Sequence, residues 1–377
     1  MMYDVGSGKS EVVSGQTSSE VRVAGDEERA SLDAHYSSLS TIVSGQKATS
    51  NSYMRSGDSR MVAMEGKRVV VTGGAGFIGS NLAEELCKGN EVVVIDNLST
   101  GHIENVRNLV KSKKIKFVKG TIANLPLLKR TFKGADYILH QAAIPSVPRS
   151  VADPILSNEA GITGTLNVLV AARDSGVKKV VYASSSSVYG DTPTLPKRED
   201  MVPSPLSPYA LTKLTGEHYM RLFNDLYGLG TASLRYFNVF GPKQDPKSEY
   251  AAVIPRFIAK TFSGEPITIF GDGEQTRDFT FIKDVVQANI KAAESSSVGH
   301  FNIAGGKRIS INDLIKTIFK IAGKETKVKY DPVRPGDVKH SLADISKAKE
   351  AFGWNPQYSL ERGLKETVKW FSKDNRL

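Results

Sequence analysis

The sequence predicts an α/β protein built on a parallel, doubly wound sheet with helices on both faces. From Lys67 onward, short runs of β-branched residues alternate with helical patterns, which is typical of such sheets. The runs KRVVVTG and EVVVID are apolar throughout, as in strands that are buried on both faces. A glycine-rich turn joins the first strand to the first helix, where this fold needs a tight connection.

The strands and helices alternate regularly up to Asn238. Helices are predicted at Phe77 to Lys88, near Glu104, near Leu125, at Pro154 to Ser175 and at Pro208 to Tyr227, between the strands KRVVVTG, EVVVID, KIKFVKG, ADYILHQAA, KKVVYASSS and TASLRYFN. Later segments are rich in Gly, Pro and charge, with shorter helices at Ile311 to Ala322 and Leu360 to Phe371. We predict a larger domain of residues 64–240 and about 279–305. Because long loops usually serve binding sites, we predict that residues 241–278 and 306–377 form a smaller C-terminal α/β lid that binds the substrate.

The first 63 residues differ from the rest in composition. Residues 1–60 contain 14 serines, few large apolar side chains and two copies of VSGQ, a composition typical of disorder. A secretory signal is not indicated, because a basic start followed by an apolar core is missing. Two interpretations remain, a regulatory tail or upstream sequence translated from a wrong start codon, and Met61 and Met64 before the first strand favour the second.

Charge and composition exclude several classes of protein. Of the 377 residues 40% are hydrophobic, as in globular proteins, and no apolar run reaches the roughly 18 residues of a membrane span. The net charge is +10, but the basic residues are scattered without Lys/Arg blocks, which favours a small anionic ligand over nucleic acid. Cys87 is the only cysteine and the six histidines lack metal-binding spacing. We therefore expect a cytoplasmic protein without disulfides or a metal centre.

The glycine-rich turn has the features of a phosphate-binding loop. VVVTGGAGFIGS places Gly73, Gly76 and Gly79 where the backbone can approach a pyrophosphate and the helix N-terminus supplies N–H groups. The next strand ends at Asp96, 20 residues beyond Gly76. A carboxylate there can bind both ribose hydroxyls of an adenosine and would repel a 2′-phosphate. The sequence therefore predicts binding of NAD rather than NADP.

A tyrosine and a lysine form the candidate catalytic pair. Tyr209 and Lys213 are four residues apart in SPYALTK, so they share one face of a helix. They follow a strand that ends in four serines, 184–187, where a doubly wound fold places its site. A nearby ammonium and a nicotinium charge both favour the phenolate of tyrosine. The pair can then take a proton from a sugar hydroxyl while hydride passes to nicotinamide.

Six motifs carry a family resemblance: TGGAGFIG, DNLSTG, HQAA, SSSSVYG, SPYALTK and LRYFNVFGP. They resemble the extended short-chain dehydrogenase/reductase family and, within it, most closely the UDP-hexose 4-epimerases. The similarity extends from about Val69 to Trp370. The resemblance implies a Rossmann fold and a reaction without net redox, in which NAD takes hydride from C4 of the sugar, the keto intermediate turns over, and hydride returns to the opposite face. It assigns Tyr209 as base, Ser185 as hydrogen-bond partner of the reacting hydroxyl, assisted by Ser186, and Lys213 as ligand of the nicotinamide ribose. The implied cofactor contacts are Gly73, Gly76, Phe77, Ile78, Gly79, Asp96, Asn97, Thr121, Ile122, Ala142, Ala143, Asn158, Tyr209, Lys213 and Tyr236.

One position departs from the family pattern. After the third strand the family usually has Gly-Asp-Ile/Leu, whose aspartate meets the adenine amino group, whereas this chain has Gly120, Thr121 and Ile122. Adenine recognition is then weaker or made by the Thr121 hydroxyl. NAD binding should persist, because one neutral hydrogen bond contributes only about 1 kcal/mol.

The resemblance also bears on the substrate. Sister dehydratases carry an Asp-Glu pair, and decarboxylases a glutamate, where this chain has Ser186 and Ser187, so neither reaction is expected. Ser341 in HSLAD stands where the epimerases line the pocket near the sugar C2, and a small residue there admits an N-acetyl group. The implied substrate contacts are Ser146, Ser185, Asn238, Ala252, Val253, Arg277, Arg334, Asp337 and Ser341, with the two arginines clamping the pyrophosphate.

We therefore expect interconversion of UDP-GlcNAc and UDP-GalNAc, with UDP-Glc and UDP-Gal also accepted because a roomy pocket rejects smaller sugars only weakly. The segments SVPRS and QDPKSEYAAVIPRF also resemble the N-acetylhexosamine branch. The alternatives are a UDP-glucuronate 4-epimerase, whose site for the C6 carboxylate the sequence does not identify, and a non-catalytic NAD-binding sensor. A homodimer is expected, paired through the helices at Pro154 to Ser175 and Pro208 to Tyr227.

Overall fold

The computed structural model describes residues 64–246, 252–333 and 339–373, which belong to one compact unit. Its strands are β1 (Arg68–Thr72), β2 (Glu91–Asp96), β3 (Ile115–Lys119), β4 (Tyr137–His140), β5 (Lys179–Ser185), β6 (Gly230–Tyr236), β7 (Val239–Phe240), β8 (Ile267–Phe270), β9 (Thr276–Asp278), β10 (Thr280–Phe281), β11 (Gly299–Ile303), β12 (Arg308–Ser310) and β13 (Val328–Asp331). Its α-helices are α1 (Phe77–Leu86), α2 (Arg107–Lys111), α3 (Leu125–Phe132), α4 (Val147–Ala152), α5 (Pro154–Asn158), α6 (Gly164–Asp174), α7 (Pro208–Tyr227), α8 (Val253–Ser263), α9 (Ile282–Glu294), α10 (Ile311–Ala322), α11 (Ser346–Phe352) and α12 (Leu360–Phe371).

Seven of these strands form one parallel sheet in the order β11-β6-β5-β4-β1-β2-β3. Both faces of this sheet are covered. On β1, Val69 and Val71 pack with Leu82 of α1 on one face, whereas Val70 packs with Met220 of α7 on the other. The apolar strand pattern is thus explained by burial on both sides, and the predicted doubly wound fold is confirmed.

The helix α7 begins and ends where its sequence signals lie. The Ser207 side chain accepts a hydrogen bond from the Ala210 N–H, and Pro208 occupies the first helical turn. At the other end Gly228 adopts a left-handed conformation with φ of 65°. Because these capping residues act locally, the predicted bounds of this 20-residue helix agree with the structure.

The predicted helix at Pro154 to Ser175 is not continuous. A wide π-helical turn, Glu159–Thr163, separates α5 from α6. Within that turn Gly161 is buried, and a Cβ there would lie 2.7 Å from the Thr212 side chain of α7. The turn therefore lets the backbone approach α7 between Tyr209 and Lys213, an arrangement that helical periodicity alone does not reveal.

Beyond Asn238, helix α9 and strand β11 return to the large sheet, and the other elements build a smaller α/β part of the fold. Three two-stranded pairs, β7 with β10, β8 with β13, and β9 with β12, lie among helices α8 to α12. Ser310 and Ser359 cap α10 and α12, whose bounds agree with the prediction. In the three described ranges no helix is long and apolar enough to cross a membrane, and no group of His, Cys, Asp and Glu could hold a metal ion.

Candidate functional site

The glycine-rich loop lies between the carboxyl end of β1 and helix α1, where the strand order of the sheet reverses. Its glycines are required by close contacts. A Cβ on Gly73 would lie 2.7 Å from the Ala142 backbone, and one on Gly79 only 2.3 Å from the carbonyl oxygen of Gly73. Gly76 precedes α1 and offers no side-chain cap to its first N–H groups. The loop therefore presents backbone donors at a helix N-terminus, which suits a pyrophosphate.

Asp96 lies beside this loop at the end of β2. Its carboxylate accepts hydrogen bonds from the Ala75 N–H at 2.9 Å and the Leu98 N–H at 2.8 Å. A Cβ on Gly101 would lie 2.9 Å from both carboxylate oxygens, so the backbone passes close by. Each oxygen retains a second lone pair that can accept a ribose hydroxyl. The neighbouring Asn97 side chain is exposed and accepts from the Ser99 N–H at 3.0 Å.

The other predicted cofactor residues have different surroundings. Thr121 is exposed, and its hydroxyl accepts from the Ala123 N–H at 3.2 Å, whereas Ile122 is buried. The Tyr236 hydroxyl accepts from Asn289 Nδ2 at 2.8 Å and is also within hydrogen-bonding distance of Gln141 Oε1. Asn158 lies on α5 and is exposed. The Ala142 backbone lies against Gly73 of the glycine-rich loop, and Ala143 follows Ala142 in the chain. Phe77 and Ile78 are the first two residues of α1, directly after the loop.

The candidate catalytic residues meet at the end of β5. The Tyr209 hydroxyl lies near Ser185; burial raises the pKa of Tyr209, and the interaction with the Ser185 side chain opposes the rise. Lys213 Nζ donates to the Ala183 carbonyl at 2.7 Å and lies 5.8 Å from the centroid of the Tyr209 ring. Burial lowers the pKa of Lys213 to about 7, against the carboxylate of Glu217. The Glu217 carboxylate thus opposes the loss of the Lys213 proton.

The serines at the end of β5 differ in burial. Ser185 Oγ accepts from Ser187 Oγ at 2.9 Å and is half-buried with Ser186. Ser184, by contrast, is buried and donates its hydroxyl to Glu217 on α7. Ser185 thus lies beside Tyr209 at the less buried end of β5, whereas Ser184 is buried against Glu217 of the same helix α7.

Sequence reasoning missed two buried residues of this region. His140 hydrogen-bonds Thr72 Oγ1 through Nδ1 at 2.7 Å and Thr165 Oγ1 through Nε2 at 3.1 Å, and burial lowers its pKa to about 3, so it is neutral. Glu217 lies four residues after Lys213 and eight after Tyr209 on α7. That helical spacing was a signal, but its partners could be found only in the folded chain.

The predicted substrate residues converge around β9. Asn238 Nδ2 donates to the Asp278 carbonyl at 2.8 Å and to Ser341 Oγ at 3.3 Å, and the Ser341 hydroxyl also accepts from the Asp278 N–H at 3.1 Å. On the same strand Arg277 donates to the carbonyls of Thr276 and Lys339, both at 3.1 Å. Three residues that are distant in the sequence, Asn238, Arg277 and Ser341, thus lie together.

The remaining residues predicted to bind the substrate lie on other elements or outside the described residues. Ala252 and Val253 lie at the N-terminus of α8. Ser146 caps α4 by accepting from the Arg149 N–H at 3.3 Å, with φ of 104°, which non-glycine residues rarely adopt. The predicted pyrophosphate clamp is only half described, because Arg334 and Asp337 lie outside the described residues.

The fold recurs in known proteins of similar sequence. The family model of GDP-mannose 4,6 dehydratase matches residues 70–367. A solved UDP-N-acetylglucosamine 4-epimerase from Methanobrevibacter ruminantium, in complex with UDP-N-acetylmuramic acid, is 45% identical with a TM-score of 0.79, over 82% of this chain and 99% of that one. The Thermus thermophilus UDP-glucose 4-epimerase, in complex with NAD, is 38% identical with a TM-score of 0.75, over 81% of this chain and 99% of that one.

A relative found by sequence points to the same group of enzymes. The putative UDP-glucose 4-epimerase of Methanocaldococcus jannaschii is 41% identical over 311 residues, which cover 82% of this chain and 99% of that protein. The matches therefore span nearly the whole of each relative and the part of this chain that carries the motifs. This chain belongs to the extended short-chain dehydrogenase/reductase family, in the group of nucleotide-sugar enzymes that includes the UDP-hexose 4-epimerases.

Proposed function

We propose that this protein is an NAD-dependent 4-epimerase of UDP-sugars that interconverts UDP-GlcNAc and UDP-GalNAc and also accepts UDP-Glc and UDP-Gal. The observation that carries the proposal is the meeting of Tyr209, Ser185 and Lys213 at the end of β5, in the same sheet as the glycine-rich loop and Asp96. Ser186 and Ser187 follow Ser185, so the acid and base that dehydration would need there are missing. This combination supports reversible oxidation at one sugar carbon.

The residues of this chain fit NAD, and each has a separate role in the proposed reaction. When bound, NAD supplies the nicotinamide that takes up and returns hydride. The first N–H groups of α1 would bind its pyrophosphate and Asp96 the adenosine ribose hydroxyls. Tyr209 would take the proton of the C4 hydroxyl and later return it, while Ser185 holds that hydroxyl. The cationic Lys213 favours the phenolate form of Tyr209.

The size of the side chain at position 341 supports the choice of sugar. Ser341 is held by Asn238 and Asp278, next to Arg277, which would bind the pyrophosphate of the UDP-sugar. If Ser341 lies beside the sugar C2, as the family resemblance implies, its small side chain would leave space there for an N-acetyl group. The C-terminal segments 241–278 and 306–377 would then act as the substrate-binding lid.

A comparison of five substrates tests this function. Purified protein should convert UDP-GlcNAc to UDP-GalNAc and the reverse, and UDP-Glc to UDP-Gal more weakly or equally, with products resolved by proton NMR. Undetectable turnover of both N-acetylated sugars beside turnover of the other two would reject the substrate assignment. Preferential turnover of UDP-glucuronate would favour the alternative epimerase, and NAD that stays bound without turnover of any sugar would favour a sensor.

We also infer that the protein forms a homodimer through α5 and α7. Large apolar side chains are exposed there: Ile155 is 79% exposed, Leu222 48% and Leu226 65%. Clusters of this kind usually mark protein contacts. Light scattering should give twice the mass of the chain, and the double variant Leu222→Glu/Leu226→Glu should give the monomer mass. Val202→Glu, at an apolar residue outside these helices that is 84% exposed, should remain dimeric; a monomeric unaltered protein would reject the inference.

A further inference from the structure

Three residues on one face of α7 contact three consecutive residues of β5. Tyr209 lies near Ser185, Lys213 donates to the Ala183 carbonyl, and Glu217 accepts a hydrogen bond from the Ser184 hydroxyl. The spacing of four residues brings all three onto the same side of the helix. Glu217 is therefore part of the same helix–strand contact as the proposed proton-transfer pair, although it is too deeply buried to reach a substrate.

Glu217 also forms a buried ion pair with the next strand of the sheet. Its carboxylate accepts from Arg235 Nε at 2.9 Å and from Arg235 NH2 at 2.7 Å, a two-pronged geometry. The Glu217 side chain is 5% exposed and that of Arg235 is 1% exposed. Arg235 lies on β6 directly before Tyr236 and stacks over the Tyr189 ring at 4.8 Å. One carboxylate thus ties α7 to the ends of both β5 and β6.

The same carboxylate lies near a second buried cation. Lys213 is 3% exposed, and the titratable groups that face it are Tyr182 and His140 from the sheet and Tyr209 and Glu217 from α7. Among these, Tyr182 and His140 are uncharged at neutral pH, because burial raises the pKa of Tyr182 and lowers that of His140. Glu217 is therefore the negative group that offsets the desolvation of Lys213.

We propose that Glu217 is a positioning residue for proton transfer, which holds α7 in register against β5 and keeps Lys213 cationic beside Tyr209. The inference rests on the proposed function of that pair. If Glu217 served the fold alone, its loss would lower the stability of the protein without changing the protonation of Lys213. The two roles therefore differ in an observable property of one lysine.

The test compares variants that change the charge and the geometry separately. Glu217→Gln removes the charge and leaves Arg235 buried without a partner anion, which can prevent folding. The double variant Glu217→Gln/Arg235→Gln removes both charges and avoids that penalty. Glu217→Asp keeps the charge. The control, Asp284→Asn, removes another buried carboxylate on α9, which binds the backbone of Gln357 and Tyr358 instead.

Two readouts are measured on each folded, NAD-loaded protein. The first is the pH titration of Lys213 by NMR of protein labelled at lysine Cε, with the signal assigned by Lys213→Arg. The pKa should fall by at least about one unit in Glu217→Gln and in the double variant, and stay near the unaltered value in Glu217→Asp and Asp284→Asn. The second is the pH profile of kcat for UDP-GlcNAc. The pH at which kcat declines on the alkaline side should fall by the same number of pH units as the pKa of Lys213. At pH 8 kcat should therefore fall about tenfold, while KM changes less than about twofold.

Each outcome supports or overturns the inference. A Lys213 titration unchanged in both variants that lack the Glu217 charge would overturn it, and so would an equal shift in Asp284→Asn. Loss of activity in Glu217→Gln with an unchanged Lys213 titration would also overturn it, because the effect would then be on the fold alone. Absence of turnover in the unaltered protein would count against the proposed function, but the NMR titration would still test the role of Glu217.

Discussion

Replacing Tyr209 by phenylalanine is expected to lower kcat for UDP-GlcNAc by about a thousandfold, with little change in KM. The phenol lies near Ser185 at the end of β5 and beside the Lys213 ammonium, where it can act as the proton acceptor. Removing its hydroxyl removes the proton acceptor but leaves the ring, and general-base catalysis is typically worth about 10² to 10⁴ in rate. Steady-state kinetics in both directions measure the loss.

The control for Tyr209→Phe is Tyr219→Phe, which removes a hydroxyl from the same helix where the ring packs against the core. Its kcat should stay within about twofold of the unaltered protein. Both variants should retain NAD and the same Tm, since neither changes the cofactor loop. A Tyr209→Phe protein with nearly full activity would reject tyrosine as the base and, with it, the proposed mechanism.

Replacing Ser341 by tyrosine is expected to change the substrate range. A tyrosine ring at this position would fill the space assigned to the N-acetyl group, because Ser341 is anchored to Asn238 and Asp278 and its backbone N–H donates to the Thr276 carbonyl at 3.0 Å. We expect kcat/KM for UDP-GlcNAc and UDP-GalNAc to fall at least about a hundredfold, and that for UDP-Glc and UDP-Gal by less than about tenfold. Parallel assays of the four sugars measure the difference.

Ser341→Ala separates the size of this residue from its hydrogen bonds. Alanine removes the hydroxyl that accepts from the Asp278 N–H but keeps the pocket open, so the N-acetylated sugars should still be converted. An equal loss of all four substrates in Ser341→Tyr would show a disturbed pyrophosphate site rather than a filled sugar pocket. Arg277, which follows Thr276 on β9, would then be the affected neighbour.

Local signals in the sequence determined a large part of this protein. The apolar runs of β1 and β2 predicted a sheet covered on both faces, and the predicted bounds of α7 agree with the helix that Ser207 and Gly228 cap. The loop motif, the Tyr209–Lys213 spacing and the resemblance predicted the family that the comparisons confirm. These features depend on residues a few positions apart, so burial pattern, capping and helical period are readable without the fold. The residues predicted to bind NAD and substrate remain predictions.

Only the tertiary structure decided which distant groups meet. Glu217 and Arg235 are on different elements, and nothing in their local sequence shows that each is the other's buried partner. Asn238 and Ser341 lie 103 positions apart, yet they share a hydrogen bond at β9. The wide turn at Glu159–Thr163 likewise reflects the contact of Gly161 with Thr212, not its own periodicity. Long-range partners are selected by packing and by the need to pair buried polar groups, which depend on the whole fold rather than on neighbouring residues.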